Sequence, residues 1–308
     1  MRSLERRRVR GYPKAVSHAP QRVTFALPHG IDIAADVYGE EGRPTVLFLH
    51  GGGQTRHAWG GAAEAIAAAG YRAITMDHRG HGESSWSPDG AYEAEEFATD
   101  LEAVLLEYVH QPILVGASLG GMAALLAQHR HAKPICRGIV LVDVTPRLNR
   151  DGVLRILSFM QHKPEGFGSL EEVADAIASY LPHRKRSDNL EGLKKNLRRT
   201  PEGRWVWHWD PKLLESWRPG RQDDEQREAS IRRRLEAAAA IEVPMMLIRG
   251  RMSDVVSEEN ARELLAIAPH TEYVDLAGAA HMVAGDRNDA FTHAVLDFIR
   301  RVLPADAA

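Results

Sequence analysis

The chain has 308 residues, 44% of them hydrophobic, and its 39 basic and 42 acidic side chains give a formal charge of −3. This composition is that of a folded protein with enough apolar material for a large core, and it excludes a disordered chain. The length allows two domains or one large α/β unit with an insertion, and we expect the second arrangement.

The balance of charge also limits the partners of the chain. Without an excess of basic residues there is no overall field to attract nucleic acid or an anionic membrane, so we expect neither as a partner. No run of about 18 apolar residues occurs that could span a bilayer as a helix. The expected partner is a small molecule, bound by a monomer or a homodimer.

The cysteine content and the N-terminus indicate the compartment. The single cysteine, Cys136, excludes an internal disulfide and a multi-cysteine metal site, as is typical of a reducing environment. Residues 1–20 are predicted to be a basic arm, because five arginines occur in the first ten residues without the apolar segment that a secretory signal needs. We therefore expect a cytoplasmic protein.

Short β-rich apolar runs alternate with longer helical stretches along most of the chain. Runs that are apolar on both faces are typical of a parallel sheet with helices packed on each side. We predict eight strands, at residues 23–27, 31–38, 45–49, 72–76, 113–115, 138–142, 244–249 and 272–275.

Helical stretches separate these runs. Residues 58–69 are rich in alanine and end before Gly70, a residue type that often terminates a helix. Residues 93–108 carry apolar side chains at helical spacing, and residues 286–303 form the closing amphipathic helix. The first two strands flank a short turn and are expected to be an antiparallel hairpin at the sheet edge, so the prediction is an α/β, mostly parallel, doubly wound sheet.

Residues 146–240 interrupt this pattern. The segment is highly charged, contains no predicted strand, and holds four of the six tryptophans. We predict a helical cap at 146–240, inserted into a core formed by 21–145 and 241–308. Its tryptophans either join the cap to the core or line an apolar pocket. The candidate substrate-binding residues are Trp205, Trp207, Trp209 and, outside the cap, Met282.

The strongest local signal for chemistry is the motif Gly116-Ala117-Ser118-Leu119-Gly120. It is a G-x-S-x-G sequence that directly follows an apolar run and precedes a helical stretch. A nucleophile elbow requires this order of strand, turn and helix, because the serine sits on a strained turn and the glycines allow close backbone approach. A tight turn whose serine only caps the helix is the alternative. We predict Ser118 to be a nucleophile at the carboxyl end of a central strand.

A serine hydroxyl needs a base within hydrogen-bond reach and a carboxylate that orients the base. His281 lies in a small-residue loop after the last predicted strand, which opens on the same edge of the sheet as Ser118, and we predict it to be the base. Asp254, after the seventh predicted strand, is the preferred acid. Asp143, which closes the sixth, is the alternative acid.

The chain order Ser118, Asp254, His281 is the order of nucleophile, acid and base in α/β hydrolases. On this order, the elbow, His50-Gly51-Gly52-Gly53 and the stretch from Asp77 to Ser84, the chain resembles the α/β-hydrolase fold superfamily over residues 22–303. It looks closest to the capped, cofactor-free group of serine esterases, haloperoxidase-like and epoxide-hydrolase-like enzymes. The resemblance implies a mostly parallel eight-stranded sheet with an inserted helical cap.

The resemblance also implies backbone donors for an oxyanion. These would be the N–H of Leu119, directly after the nucleophile, and that of Gly52 or Gly53. The glycine run is not followed by the Lys-Ser/Thr pair of a phosphate-binding loop. The stretch from Asp77 to Ser84 is expected to be a structural turn near the pocket, without a catalytic step.

Together these residues predict a serine hydrolase that cleaves a small carboxylic ester, lactone or thioester without a metal or organic cofactor. Ser118 argues against epoxide hydrolases and haloalkane dehalogenases, which use aspartate at the elbow, and against dienelactone hydrolases, which use cysteine. Two other interpretations stay open. One is a carbon–carbon hydrolase or a cofactor-free perhydrolase with the same triad, and the other is a ligand-binding sensor on the hydrolase fold.

Overall fold

The computed structural model describes residues 19–186, 188–218, 220, 223–286 and 288–304. Of the predicted basic arm at 1–20, residues 1–18 lie outside these ranges. In the described ranges the strands are β1 (Gln21–Ala26), β2 (Asp32–Tyr38), β3 (Thr45–Leu49), β4 (Arg72–Met76), β5 (Ile113–Ala117), β6 (Gly138–Val142), β7 (Leu197–Arg199), β8 (Trp205–Trp207), β9 (Met245–Gly250) and β10 (Glu272–Leu276).

Helices connect these strands. The bounds are α1 (Gly60–Ala68), α2 (Ala94–Glu107), α3 (Leu119–His129), α4 (Arg150–Met160), α5 (Leu170–Tyr180), α6 (Lys212–Ser216), α7 (Asp224–Ala239), α8 (Glu258–Ile267), α9 (Val283–Asp286) and α10 (Asn288–Val302). None of the helices in the described ranges is long and apolar enough to cross a membrane.

Eight strands form one sheet in the order β1-β2-β4-β3-β5-β6-β9-β10. Strand β2 is antiparallel to both β1 and β4, and the remaining pairs are parallel. The eight strands and the edge hairpin predicted from the apolar runs are confirmed.

The register of the parallel strands decides where the loops meet. Gly116 of β5 pairs with Leu49 of β3 and with Leu141 of β6, and Leu141 pairs with Leu247 of β9. Because parallel strands run in one direction, the segments that follow β3, β5, β6 and β9 all leave the sheet at the same edge.

The alternation of side chains along each strand builds a core on both faces of the sheet. In β3, Leu47 packs in the cluster that contains α2 and α3, whereas Phe48 packs against Trp59, which in turn packs against Phe291 of α10. Both strand residues are fully buried, and burial of one such side chain contributes about 1.5–3 kcal/mol. The sheet is therefore held as a rigid layer between two sets of helices.

The segment between β6 and β9 contains a short ribbon that the sequence analysis did not expect. Strands β7 and β8 pair antiparallel, and Gly203, with a φ of 82°, lies in the turn that joins them. The expectation of no strand between residues 146 and 240 is therefore wrong. Three residues per strand are too few for an alternating pattern to be visible in the sequence.

Helix α7 packs against α3 and α8, which belong to the helical layers of the sheet. Its residues Ala237 and Ala238 are fully buried in the same cluster as Leu47. The division into core and cap at residue 240 stays a prediction, and this packing favours a boundary nearer the start of α7.

Candidate active site

Ser118 lies on the turn between β5 and α3, with a φ of 46° and a ψ of −112°. This conformation is strained for a residue with a side chain. The glycines around it make the turn possible: a Cβ on Gly116 would lie 2.5 Å from the Gly121 nitrogen, and one on Gly120 would lie 2.5 Å from the Leu49 carbonyl oxygen. The predicted strand, turn and helix around Ser118 are confirmed.

His281 lies in the loop between β10 and α9, and its side chain is 15% exposed. Its Nδ1 atom is 2.7 Å from the Oδ2 atom of Asp143. Since a carboxylate accepts, this hydrogen bond places the proton on Nδ1 and leaves Nε2 as the acceptor nitrogen. Both His281 and Ser118 line one cavity.

Asp143 directly follows β6 and is fully buried, with a φ of 48°. Besides His281, two groups donate to its carboxylate: the Gly250 N–H to Oδ1 at 3.0 Å and the Ser253 hydroxyl to Oδ2 at 2.5 Å. Three donors thus compensate for the loss of water around a buried carboxylate.

Asp254, the acid preferred by the sequence analysis, does not occupy this position. Its Oδ2 atom pairs with the Nε atom of Arg155 at 3.0 Å, and its side chain is 33% exposed. In the turn after β9 it is Ser253, the preceding residue, that faces Asp143. The preference for Asp254 over Asp143 as the partner of His281 is therefore wrong in geometry. Both residues follow strands at the same sheet edge, so position along the chain could not separate them.

Ser253 is a site residue that sequence reasoning missed. Its hydroxyl donates to Asp143 and accepts the N–H groups of Val255 and Val256, each at 3.1 Å. These two donors orient the hydroxyl, so its proton points at the carboxylate. A serine in a loop carries no signal of such a role.

The glycine run after β3 lies beside the elbow, since a Cβ on Gly51 would lie 3.4 Å from the Ser118 Cβ. The Gly51 N–H donates to the Gln54 side chain at 3.0 Å, and the Gly53 N–H donates to the His81 Nε2 atom at 3.1 Å. The Gly53 N–H thus already has an acceptor, so the prediction of Gly53 as an oxyanion donor is wrong.

Two of the predicted oxyanion donors stay unengaged. Within the described part of the chain, the N–H groups of Gly52 and Leu119 have no hydrogen-bond acceptor. Gly52 follows Gly51 in the loop beside Ser118, and Leu119 follows the serine itself. Both groups can donate to an added ligand.

Three buried histidines, His50, His78 and His81, lie next to this loop and form hydrogen bonds that hold its backbone. His50 accepts the His78 N–H on Nε2 at 3.0 Å and donates from Nδ1 to the Gly51 carbonyl, while His81 donates from Nδ1 to the Arg79 carbonyl. Burial lowers the pKa of His50 to about 4 and that of His81 to about 3. His81 is therefore neutral at pH 7, as an acceptor of the Gly53 N–H must be.

The cavity that contains Ser118 and His281 has a volume of about 1090 Å³. Of the predicted substrate-binding residues, Trp207, Trp209 and Met282 lie in its wall. Trp205 does not: its ring packs against Arg199, with the guanidinium carbon 5.3 Å from the ring centre. The prediction for Trp205 is wrong: it shares one face of β8 with Trp207, but at the other end of the strand it lies outside the cavity wall.

Trp217 is a wall residue that was not among the predicted contacts. A Cβ on Gly52 would lie 3.1 Å from its ring, and its indole N–H donates to the Tyr92 carbonyl at 2.9 Å. The ring therefore covers the glycine run. Across the described ranges, no group of three or more side chains of the types that ligate metals could hold an ion.

Comparison with known proteins places this geometry among its relatives. A family model described as the alpha/beta hydrolase fold matches residues 44–287. The chain is 32% identical over 267 residues to esterase Rv0045c of Mycobacterium tuberculosis, covering 84% of this chain and 83% of the relative. A crystal structure of that esterase aligns with a TM-score of 0.69 at 27% identity, over 93% of each chain.

Two further relatives carry different names. The 3-hydroxybutyrate-oligomer hydrolase of Cupriavidus necator is 26% identical over 254 residues, which is 79% of this chain and 85% of that protein. The non-heme chloroperoxidase CPO-A1 of Kitasatospora aureofaciens is 28% identical over 284 residues, which is 88% of this chain and 97% of that protein.

The buried histidines predict a loss of stability in acid. Because the pKa of His81 is lowered in the folded state, the unfolded chain takes up a proton below about pH 6.5 and the folded chain does not. The contribution of the neutral His81 to the free energy of unfolding is therefore complete above pH 6.5, and it is lost as the pH falls towards 3. We expect His81→Gln to reduce the slope of unfolding free energy against pH between 6.5 and 4, by up to about 1.4 kcal/mol per pH unit.

Urea unfolding at a series of pH values measures this slope. His270→Gln, which removes an exposed histidine, is the matched control and is expected to leave the slope unchanged. Equal slopes in His81→Gln and in the unmodified protein would contradict the neutral state of His81.

Proposed function

Because the chain belongs to the α/β-hydrolase fold family and is a hydrolase of the esterase type, we propose that it cleaves a small carboxylic ester, lactone or thioester through an acyl-serine intermediate. The observation that supports this proposal best is the hydrogen bond from His281 to the buried Asp143, on the wall of the cavity that also holds Ser118.

In this mechanism the Ser118 hydroxyl attacks the substrate carbonyl while the Nε2 atom of His281 takes its proton. His281 then returns the proton to the leaving alcohol or thiol, and the acyl group remains on Ser118. Water repeats the cycle: it loses a proton to His281 and attacks the acyl carbon, and the acid is released as His281 returns that proton to the Ser118 oxygen. Asp143 holds the ring with its proton on Nδ1 and stabilises the imidazolium that forms in each half of the cycle.

The tetrahedral intermediate places negative charge on the former carbonyl oxygen. The N–H groups of Gly52 and Leu119 are the proposed donors to this oxygen, since both are unengaged among the described residues and both lie beside Ser118. Loss of one such donor costs about 2.7–4 kcal/mol in the transition state.

The segment between β6 and α7 is the proposed cap. It supplies Trp207, Trp209 and Trp217 to the cavity wall. These large apolar surfaces exclude water from the reaction and suit an apolar part of the substrate. Its proposed extent is shorter than the predicted 146–240, because α7 packs with the helices of the sheet.

A second candidate uses the same residues. The similarity to a non-heme chloroperoxidase favours a perhydrolase activity, in which hydrogen peroxide replaces water in the second half of the cycle and the acyl-serine yields a peracid. Peracid formed from acetate and hydrogen peroxide would oxidise bromide, and halogenation of monochlorodimedone measures it. Ester hydrolysis without such halogenation excludes this second candidate.

The first prediction from this mechanism tests the nucleophile. We expect Ser118→Ala to lower kcat for p-nitrophenyl acetate and butyrate by about 10⁴-fold or more, because the proposed acyl intermediate forms on the Ser118 oxygen. In the unmodified protein, a fluorophosphonate should label Ser118, as mass spectrometry of the peptides would show.

Ser179→Ala, a change of an exposed serine on α5, is the control and should retain full activity. Labelling at another residue, or activity retained in Ser118→Ala, would refute the proposed nucleophile.

The second prediction separates the two aspartates. We expect Asp143→Asn to lower kcat by about 10³–10⁴-fold, since an amide in this position no longer holds the His281 tautomer. Asp254→Asn should change kcat by less than about threefold, because Asp254 pairs with Arg155 at the surface. Steady-state kinetics on one ester measure both, and a larger loss in Asp254→Asn would overturn the assignment.

The third prediction concerns the Ser253 hydroxyl. We expect Ser253→Ala to lower kcat by about tenfold or more with little change in KM, because Asp143 loses one of the three donors that fix its carboxylate. Ser253→Thr keeps the hydroxyl and should recover most of the activity. A rise in KM with kcat unchanged would instead place Ser253 in substrate binding.

A further inference from the structure

The wall of the cavity is strongly basic. It contains eight arginine or lysine side chains and only three glutamates. Among the described residues, carboxylates pair with at least four of the eight: Arg147 with Glu228 and Glu263, Lys185 with Asp188, Arg186 with Asp175, and Arg227 with Asp224. Basic side chains therefore outnumber the carboxylates of the wall.

Arg234 is a wall cation that two oxygen atoms of neighbouring residues hold in place. Its Nε atom donates to the Pro146 carbonyl at 3.0 Å, and its Nη1 atom reaches the Ser230 hydroxyl at 3.5 Å. The Nη2 atom has no acceptor among the described residues. The guanidinium is thus fixed at one edge, while the opposite edge stays available.

No carboxylate of the described residues lies within 4 Å of Arg234. Glu95 attracts the guanidinium from a greater distance, whereas Arg147 and Arg233 repel it. Burial lowers the pKa of Arg234, which reflects the cost of placing this charge away from water. A buried or half-buried cation of this kind is stabilised by a partner of opposite charge.

The position of Arg234 on α7 points it at the same space as the nucleophile. Arg227, Ile231 and Arg234 are spaced by four and three residues, so they share one face of the helix, and all three line the cavity with Ser118. Arg227 on this face already has an acidic partner, Asp224. Arg234 does not.

From this arrangement we infer that the substrate of the proposed hydrolase carries a carboxylate, which pairs with the guanidinium of Arg234 while Ser118 attacks the ester carbonyl. The inference rests on the proposed function. A carboxylate fits better than a phosphate monoester because one guanidinium supplies one positive charge and a planar pair of donors.

The experiment compares esters of similar size, one of which carries the carboxylate and one of which does not. One pair of arms places the carboxylate on the acyl group: p-nitrophenyl hemisuccinate against the butyrate, and hemiglutarate against the valerate. The other places it on the leaving group: 4-acetoxybenzoate against its methyl ester. In at least one arm we expect kcat/KM to be higher for the anionic ester, after subtraction of the enzyme-free rate.

Arg234→Met keeps the length of the side chain and removes its charge. It should lower kcat/KM for the preferred anionic ester at least about tenfold, as loss of a charge-assisted hydrogen bond does, and change the neutral partner by less than about threefold. Arg227→Met removes a paired charge from the same face of α7 and is the matched control. It should leave the preference for the anionic ester within about twofold.

A protein that prefers the neutral ester in every arm, or an Arg234→Met variant that loses both esters equally, would overturn the inference. If the neutral ester is hydrolysed through Ser118 without any anionic preference, the proposed function stands and the inference fails. If no ester is hydrolysed, the proposed function fails. Calorimetric titration of glutarate into the unmodified protein then tests the inference separately: binding supports it, and the absence of binding refutes it. Should Arg234→Met not fold, inhibition of the unmodified protein by glutarate against neutral glutaramide decides it, and equal inhibition would refute it.

Discussion

The hydrogen bond between Asp143 and His281 joins two segments that are 138 residues apart in the chain. Nothing local brings them together, because each lies at the end of a different strand. The sheet does so, since β6, β9 and β10 are consecutive neighbours and run parallel, so that the segments after them leave at one edge. The rigid core on both faces of the sheet therefore fixes the 2.7 Å distance between the His281 Nδ1 and Asp143 Oδ2 atoms at the sheet edge.

Two kinds of buried ionisable group surround the candidate site, and they differ in charge and in the hydrogen bonds that they form. Asp143 is a carboxylate with three donors from His281, Gly250 and Ser253. His50 and His81 instead are neutral, because burial lowers the pKa of each and their ring nitrogens are used as one donor and one acceptor. The charged group lies where the proposed chemistry develops positive charge, and the neutral groups lie where the backbone must be held still.

Much of the fold and part of the site could be predicted from the sequence. Apolar runs locate the eight strands because burial on both faces leaves a strong pattern, and the glycines around Ser118 signal the elbow because only they permit its close contacts. The choice between Asp143 and Asp254 could not be made, since it depends on which side chain of a turn faces inward. The engagement of Gly53 depends on His81, 28 residues away, and no local pattern reports it.

The ribbon and the wall of the cavity were equally beyond local patterns. Trp205 and Trp207 have the same residue type and lie two positions apart, yet only Trp207 lies in the wall. Phe159 and Phe167, which come well before the ribbon in the chain, pack against Trp207, and Phe167 pairs through its backbone with Trp205. The composition shows that the segment is aromatic, but only the packed structure shows which side chains line the cavity and which lie outside its wall.

Trp217 gives the region between β6 and α7 a significance for protein engineering. Its ring rests on Gly52, a proposed donor to the oxyanion, and its indole N–H is anchored at Tyr92, outside that region. A chimaera that received this region from another protein would exchange the selectivity of the pocket and the roof of the glycine run in one step. A transplant that retains an indole at this point would therefore exchange the selectivity of the pocket and keep the cover of the glycine run.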